Sequence, residues 1–317
     1  MGRPRGDFVG TWGAVEIWWS SVQVDWCFGH HTPFAGSHSL CWKSQRNTVR
    51  EGRNMTLSPD LKALADDCEQ AARAGGKELL AWRGRFQARE KSPVDYVTDA
   101  DLASQRVIRE FVLLRYPDHH FMGEEDDTYK PVPDGEYGWV VDPLDGTTNY
   151  VHNYPNFAVS VAVTRGTELL AGAIFDPLAN ILYRAWKGGG AWQGNALLHV
   201  SDIESLDRGL VAVSFPPKIT DTSPDLVNFL KVAQRCQGVR RTGSCALNLA
   251  HLASGAIDAF WAHHIHPWDV AAGVLLVCEA GGIVTGADGR EFDLWKARFT
   301  AAARPKLHSE FLSLVSP

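Results

Sequence analysis

A chain of 317 residues is long enough to bury a sizeable core in one large domain or two subdomains. Its net charge of −6 and isoelectric point near 6.0 provide no basic footprint for nucleic acid and disfavour an anionic membrane surface, which leaves a small molecule as the expected partner. No apolar run reaches transmembrane length, and the six scattered cysteines suit reduced thiols in a cytoplasmic protein better than a disulfide framework.

Residues 1–54 hold five of the 12 tryptophans yet sustain neither a helical nor a strand period. They read as an N-terminal extension that packs no core, or as sequence upstream of the natural start. Cys27-x-x-His30 and His38-x-x-Cys41 have ligand-like spacing for zinc, but no apolar pattern surrounds them. Asp7 and Glu16 interrupt the apolar residues that a signal peptide would need.

Ser58-Pro59-Asp60 opens a helix whose apolar face runs Leu61, Leu64, Ala65, Cys68, Ala72, Leu79. A second helix spans Leu102–Arg115 and is closed by Tyr116-Pro117. Strands follow at 138–142, 157–163 and 168–175, then a hairpin through 181–192 that turns at Gly188-Gly189-Gly190. Farther on, strand and helix alternate. There is a strand at 210–215, a helix after Ser223-Pro224 and another at Ser244–Ser254. A strand at 257–261, a helix from Trp268, a strand at 299–302 and a C-terminal helix complete the chain. Strands early and alternation later predict a mixed α/β architecture, with a domain over 55–317 built of subdomains at about 55–195 and 196–317.

The stretch Trp139-Val140-Val141-Asp142-Pro143-Leu144-Asp145-Gly146-Thr147-Thr148-Asn149 carries the chemistry. An apolar strand here ends in two acids three residues apart, and unpaired buried charge is very costly. A hard divalent cation such as Mg2+ would relieve that cost through carboxylate oxygens. If Pro143-Leu144 forms a tight turn, both carboxylates and the Leu144 carbonyl converge on metal; the alternative use of the acids is to cap the next helix. Gly146, Thr147 and Thr148 can turn N–H groups toward an anion, and the Thr147 hydroxyl can orient an attacking water. Further acids stand at Glu124-Glu125, at Asp95, Asp99 and Asp101, and at Asp269 within Trp268-Asp269-Val270-Ala271-Ala272-Gly273.

In this order, the Glu-Glu, Asp-Pro-Leu-Asp-Gly-Thr-Thr-Asn and Trp-Asp-Val-Ala-Ala-Gly motifs resemble the inositol monophosphatase family from about Met55 to the C-terminus. The resemblance implies a layered α-β-α-β-α sandwich, a homodimer, and two or three Mg2+ ions. It implies that Asp142 bridges two ions, with Glu124 and the Leu144 carbonyl completing the first site and Asp145 and Asp269 the second. Two ions about 4 Å apart suit phosphoryl transfer. On spacing alone Glu125 is an alternative to Glu124. Asp101 matches the partner of the Thr147 hydroxyl and, with Glu124, would draw the proton from water. Asp145, Gly146, Thr147, Thr148, Gly243 and Ser244 match the substrate contacts. Asp95 reads as a support of the site, Asp99 as a surface acid, and Lys91 as either a phosphate contact or a solvated side chain. Arg240 and Arg241 read as ion-pair formers. His263, His264 and His266 read as poor metal ligands beside so many carboxylates.

The implied reaction is Mg2+-dependent hydrolysis of inositol 1-phosphate or a related sugar or alcohol monophosphate. Alternatives are a histidinol-phosphate or fructose-1,6-bisphosphate phosphatase on the same scaffold, and a regulatory binding protein with residual activity. Ala262 departs from the animal inositol phosphatases, which carry a Glu seven residues before the aspartate matched by Asp269. Its loss predicts weaker inositol specificity and a broader substrate range.

Overall fold

In the computed structural model, residues 60–92, 95–126, 130–216, 219–220 and 223–315 are described, without the side chains of 91, 92 and 95. The zinc-like spacing and the extension at 1–54, and the side chains of Lys91 and Asp95, therefore lie outside the described residues.

Asp60 starts α1 (Leu61–Trp82): its carboxylate accepts the N–H groups of Lys62 at 3.0 Å and Ala63 at 3.4 Å. The hairpin β1 (Ala88–Ser92) and β2 (Asp95–Thr98) leads into α2 (Asp99–Arg115). This helix begins three residues earlier than Leu102, because Thr98 and Asp101 form a capping box across the first turn. Gly75 and Gly76 let α1 lie close to α2 and to the sheet, since a Cβ at either would meet Ser104 or Phe175 at 2.6 Å.

Seven strands form the first sheet: β3 (His120–Gly123), β4 (Tyr137–Asp145), β5 (Ala158–Arg165), β6 (Glu168–Asp176), β7 (Ile181–Trp186), β8 (Ala191–Gln193) and β9 (Ala196–Leu197), paired in that order. All neighbours are antiparallel except β3 and β4. The short helix α3 (Thr147–Val151) follows β4 directly.

The second sheet has the order β11-β10-β12-β14-β13, from β10 (Leu210–Ser214), β11 (Gly238–Arg240), β12 (Ala259–Ala262), β13 (Ile283–Gly286) and β14 (Phe299–Ala302). Strands β11, β10 and β12 are parallel; β14 runs against β12 and β13. Helix α4 (Pro224–Ala233) follows β10, α5 (Cys245–Ala253) follows β11, α6 (Pro267–Glu279) follows β12, and α7 (Pro305–Val315) closes the chain. The edge strands β11 and β13 carry no alternating pattern, and both are largely half-buried, so the sequence reading did not find them.

Alternation along the strands sorts the side chains into layers. Trp139, Val141, Val161 and Phe175 of the first sheet pack with Leu64, Cys68 and Leu79 of α1 and Ile108 of α2. The opposite face, with Val140, Ala162 and Ile174, shares a core with α5, α6 and the inner residues Ala212, Phe260 and Phe299 of the second sheet. Beyond it, Val211, Trp261 and Ala302 pack against Val232 of α4 and Leu307 and Phe311 of α7. The result is the expected α-β-α-β-α sandwich. Among the described cysteines, Cys68, Cys236 and Cys245 are free thiols. Among the described residues no helix is long and apolar enough to cross a membrane.

Candidate active site

The tight turn expected at Pro143-Leu144 is instead a continuation of β4 with a shift in its pairing to β5 between Asp142 and Asp145. A bulge of this kind re-aims side chains while the strand continues, and it places both acids in the interior. Asp142 is 1 % exposed and Asp145 6 %. The Leu144 N–H donates to Asp142 Oδ1 at 2.9 Å, which fixes the bulge. Asp269 arrives from the first turn of α6, where its carboxylate accepts the His266 N–H at 2.8 Å. The Ser160 hydroxyl of β5 donates to the Trp268 carbonyl at 3.2 Å, tying that turn to the first sheet. One oxygen from each of Asp142, Asp145 and Asp269 lies within 4.8 Å of the others.

These acids resist ionisation. Burial pushes Asp142 and Asp269 well above the usual carboxylate range, and the neighbouring charges of Glu124 and Asp145 push further. Asp145 is pushed up to about 6 by burial, against the hydrogen bonds of Ser244, Cys245 and Ala246. Those donors form the start of α5: the Ser244 hydroxyl bonds Asp145, the Cys245 N–H lies at 3.1 Å and the Ala246 N–H at 2.9 Å. Among the described residues no Lys, Arg or His ion-pairs with the three acids. Converging hard oxygen donors without a protein cation suit a divalent ion such as Mg2+.

Glu124 directly follows β3, and its N–H donates to the Val141 carbonyl at 3.1 Å. Its charge raises Asp142, Asp269 and Asp101, whereas the charge of Glu125 raises Asp101. That places Glu124 on the Asp142 side, although the 4.8 Å trio does not include it.

Thr147 sits at the first position of α3, just after Gly146, whose φ of +92° is left-handed. A Cβ at Gly146 would stand 3.0 Å from the Asn156 carbonyl and 3.2 Å from that of Gly243, so the strand-to-helix turn requires glycine. The Thr147 hydroxyl faces two acceptors, the Leu144 carbonyl at 3.0 Å and Asp101 Oδ1 at 3.3 Å. Asp101 is fully buried and its other oxygen accepts from the N–H and hydroxyl of Thr98. Burial outweighs those bonds and, with the charges of Glu125 and Glu124, raises Asp101 to about 7. Thr148 is exposed on the first turn of α3.

Asn149 was not singled out from the sequence. Its amide donates to the carbonyls of Asn156 at 2.7 Å and Thr242 at 2.9 Å, and the Asn156 amide also reaches Thr242 at 3.2 Å. Gly243, at φ +85°, lies directly on Asn149, because a Cβ there would meet its side chain at 2.8 Å. This clamp joins the α3 turn to the start of α5. Ser244 is fully buried, with its hydroxyl on Asp145 and the Leu247 N–H, whereas Gly243 is exposed.

The remaining residues lie apart from the acidic trio. Asp99 is ion-paired to Arg89 at 2.6 Å and half-buried, so it is not a free surface acid. Arg240 folds onto the Val239 carbonyl and Arg241 lies over the Phe215 ring; neither forms an ion pair with any described residue, contrary to the sequence reading. His263 and His264 turn to Asp225, and His266 stacks on Trp268 with ring centroids 4.7 Å apart. Ala262 is fully buried opposite Phe299.

Known proteins resemble this chain in sequence and fold. The chain is 39 % identical over 231 residues to the inositol-1-monophosphatase of Rhizobium meliloti, covering 72 % of this chain and 86 % of that protein. It is 36 % identical over 255 residues to the Nus factor SuhB of Pseudomonas aeruginosa, covering 78 % and 94 %. The crystal structure of the extragenic suppressor protein suhB from Bartonella henselae superposes with a TM-score of 0.75 at 32 % identity, over 80 % of this chain and 98 % of that one. The inositol monophosphatase of Anabaena superposes with a TM-score of 0.71 at 35 % identity, over 81 % and 96 %. The fold, the acidic centre and these relatives define a phosphoric monoester hydrolase with the sugar phosphatase fold. Residues 60–317 match the inositol monophosphatase family model, and the chain belongs to that family.

Proposed function

We propose that the protein hydrolyses a phosphate monoester of a small polyol or sugar, of the inositol 1-phosphate type, with Mg2+ held by Asp142, Asp145, Asp269, Glu124 and the Leu144 carbonyl. The observation that carries this reading is the trio of unneutralised carboxylates, Asp142 and Asp145 buried and Asp269 half-buried, beside the Thr147–Asp101 pair. The bound ions supply Lewis-acid stabilisation of charge on the phosphoryl and leaving oxygens and make water a better nucleophile.

The chain's own residues do the rest. Thr147 Oγ1 accepts a hydrogen bond from the attacking water while its proton points to Asp101 Oδ1, so a proton lost by water has a route to a carboxylate. Burial of Asp101 raises its affinity for that proton. As the water oxygen bonds to phosphorus, the ester P–O bond breaks and the alcohol leaves. N–H groups at Gly146, Thr147 and Thr148 hold the phosphate oxygens, because the first N–H groups of a helix lack partners within it. Ser244 and the start of α5 hold Asp145 in place, with exposed Gly243 at the edge of the substrate space.

Residues 1–54 act on this reading as an extension to a domain at 55–317, and the protein works as a cytoplasmic homodimer. Because Asp142, Asp145 and Asp269 converge as the hydrolytic reading requires, hydrolysis is placed ahead of a regulatory role of the kind named in the Nus factor relatives. The test is phosphate release by purified protein from inositol 1-phosphate, glycerol 2-phosphate, histidinol phosphate and fructose 1,6-bisphosphate, with Mg2+ and with a chelator. Release from monoesters that stops on chelation is expected. No release from any ester in Mg2+ would refute the hydrolytic reading.

A further inference from the structure

We propose that Ser104 and Gln105, on the face of α2 that carries Asp101, are positioning residues that hold the β4 bulge and the Glu124-Glu125 turn in the arrangement that binds Mg2+. This rests on the hydrolytic reading above and adds to it the residues that set the shape of the ion site.

Asp101, Ser104 and Gln105 stand at positions i, i+3 and i+4 of α2, so they share one face of the helix. That face is turned inward: Asp101 and Ser104 are fully buried and Gln105 is 7 % exposed. Polar side chains are costly in such a place unless each finds a partner. Each of the three finds one on a different segment of the acidic centre. Asp101 Oδ1 accepts from the Thr147 hydroxyl at the start of α3. The Ser104 hydroxyl donates to the Pro143 carbonyl at 2.9 Å, within the bulge that separates Asp142 from Asp145. A serine inside a helix commonly bonds a carbonyl of the preceding turn. This one reaches a carbonyl 39 residues away.

Gln105 uses both ends of its amide on the turn after β3. Its Oε1 accepts the Glu125 N–H at 2.9 Å, and its Nε2 donates to Asp126 Oδ1 at 3.1 Å. Asp126 closes the turn: its N–H donates to the Gly123 carbonyl at 3.2 Å and its Oδ2 accepts the Gly123 N–H at 3.0 Å. Glu124 and Glu125 are the two residues enclosed by these contacts. The amide lies directly on the turn, since a Cβ at Gly123 would collide with Gln105 Oε1. Arg109, one turn farther along α2, ion-pairs with Asp126 and lies over the Phe121 ring at 4.2 Å.

One helix thus ties together the strand bulge, the Glu124 turn and the start of α3. Carboxylates gathered around one point repel one another, so their segments need such ties. An ion binds tightly only where its ligands are already held in place. Loss of Ser104 or Gln105 should therefore loosen the ion site while leaving every proposed ligand in the chain.

The test is calorimetric titration of Mg2+ into substrate-free protein, for the wild type, Ser104→Ala, Gln105→Met and, as a packing control, Ile108→Val. Gln105→Met keeps the length of the side chain and removes both of its bonds; Ile108 is buried in the apolar core on the same helix. Ser104→Ala and Gln105→Met should each raise the Mg2+ Kd by roughly 10- to 100-fold, the effect of removing a partner that orients metal ligands. The Mg2+ needed for half-maximal phosphate release should rise in step. Ile108→Val should lower the melting temperature in chelator and leave the Kd unchanged. Melting in chelator identifies folded variants, and either polar variant decides the matter if the other fails to fold. An unchanged Kd in a folded variant would overturn the role of that residue. Failure of both to fold, or an equal rise in Ile108→Val, would make the contacts structural only and overturn the proposal. A wild type that binds Mg2+ but releases phosphate from no ester would overturn the hydrolytic reading and leave the positioning role standing. A wild type that binds no Mg2+ would overturn both.

Discussion

The acidic centre should be a source of instability that Mg2+ relieves, and Asp142→Asn separates that cost from its use. Asp145 titrates at about 6 in the folded protein against 3.8 as a free side chain. At about 1.4 kcal/mol per pH unit, that displacement corresponds to roughly 3 kcal/mol for Asp145 alone. A carboxyl whose affinity for protons is raised by folding stabilises the fold below its unfolded pKa and loses that contribution as pH rises through the folded value. Metal-free protein should therefore lose stability between about pH 4 and pH 7, with Asp101, raised to about 7, adding to the same trend. Asp142→Asn removes one of the mutually repelling charges from the trio while keeping its shape. Without metal at pH 8 the variant should melt several degrees above the wild type, since about 1 kcal/mol moves a domain of this size by roughly 2–4 °C. Added Mg2+ should raise the wild-type melting temperature strongly and the variant's little, by linkage to a ligand that binds only the folded state. Phosphate release by the variant should fall by orders of magnitude. The assay is calorimetric melting at pH 5 and pH 8, in chelator and in Mg2+. A metal-free variant less stable than the wild type at pH 8 would show that the three carboxylates are not in electrostatic conflict, and the reasoning would fail.

Thr147→Ala should lower kcat by on the order of 100-fold with little change in KM, because the relay to Asp101 matters in the transition state; steady-state kinetics showing only a raised KM would make Thr147 a phosphate contact and no more. Asn149→Ala removes the donor to two carbonyls at 2.7 and 2.9 Å and should cost about 2–4 kcal/mol, read by urea melts; loss of activity should exceed what the unfolded fraction explains, since the start of α5 would no longer be held against Asp145. A chain beginning at Met55 should remain soluble and active in phosphate release, because residues 1–54 show no core-forming period; insoluble protein or stoichiometric zinc in the full-length chain would contradict this.

Local chemistry made much of the protein legible in its sequence. Apolar spacing along Leu61–Leu79, the Ser223-Pro224 helix start and the Gly188–Gly190 turn follow rules that act over a few residues, and those elements stand where they were expected. Asp142, Asp145 and Asp269 could be read as partners because acids at the end of an apolar strand, or opening an apolar helix, are too costly to be accidental. The edge strands β11 and β13 stayed hidden, since a short half-buried strand has no period of its own and depends on its neighbour for definition. Only the tertiary structure decided that Pro143-Leu144 is a bulge in a continuing strand, because register belongs to a pair of strands and not to one. It also decided that Ser244 is spent on Asp145, that Asn149 clamps a carbonyl 93 residues away, and that Asp225 meets His263 and His264. Those contacts join residues far apart in the chain, and each exists only because layered packing brings two strand ends together, an outcome that no stretch of sequence specifies by itself.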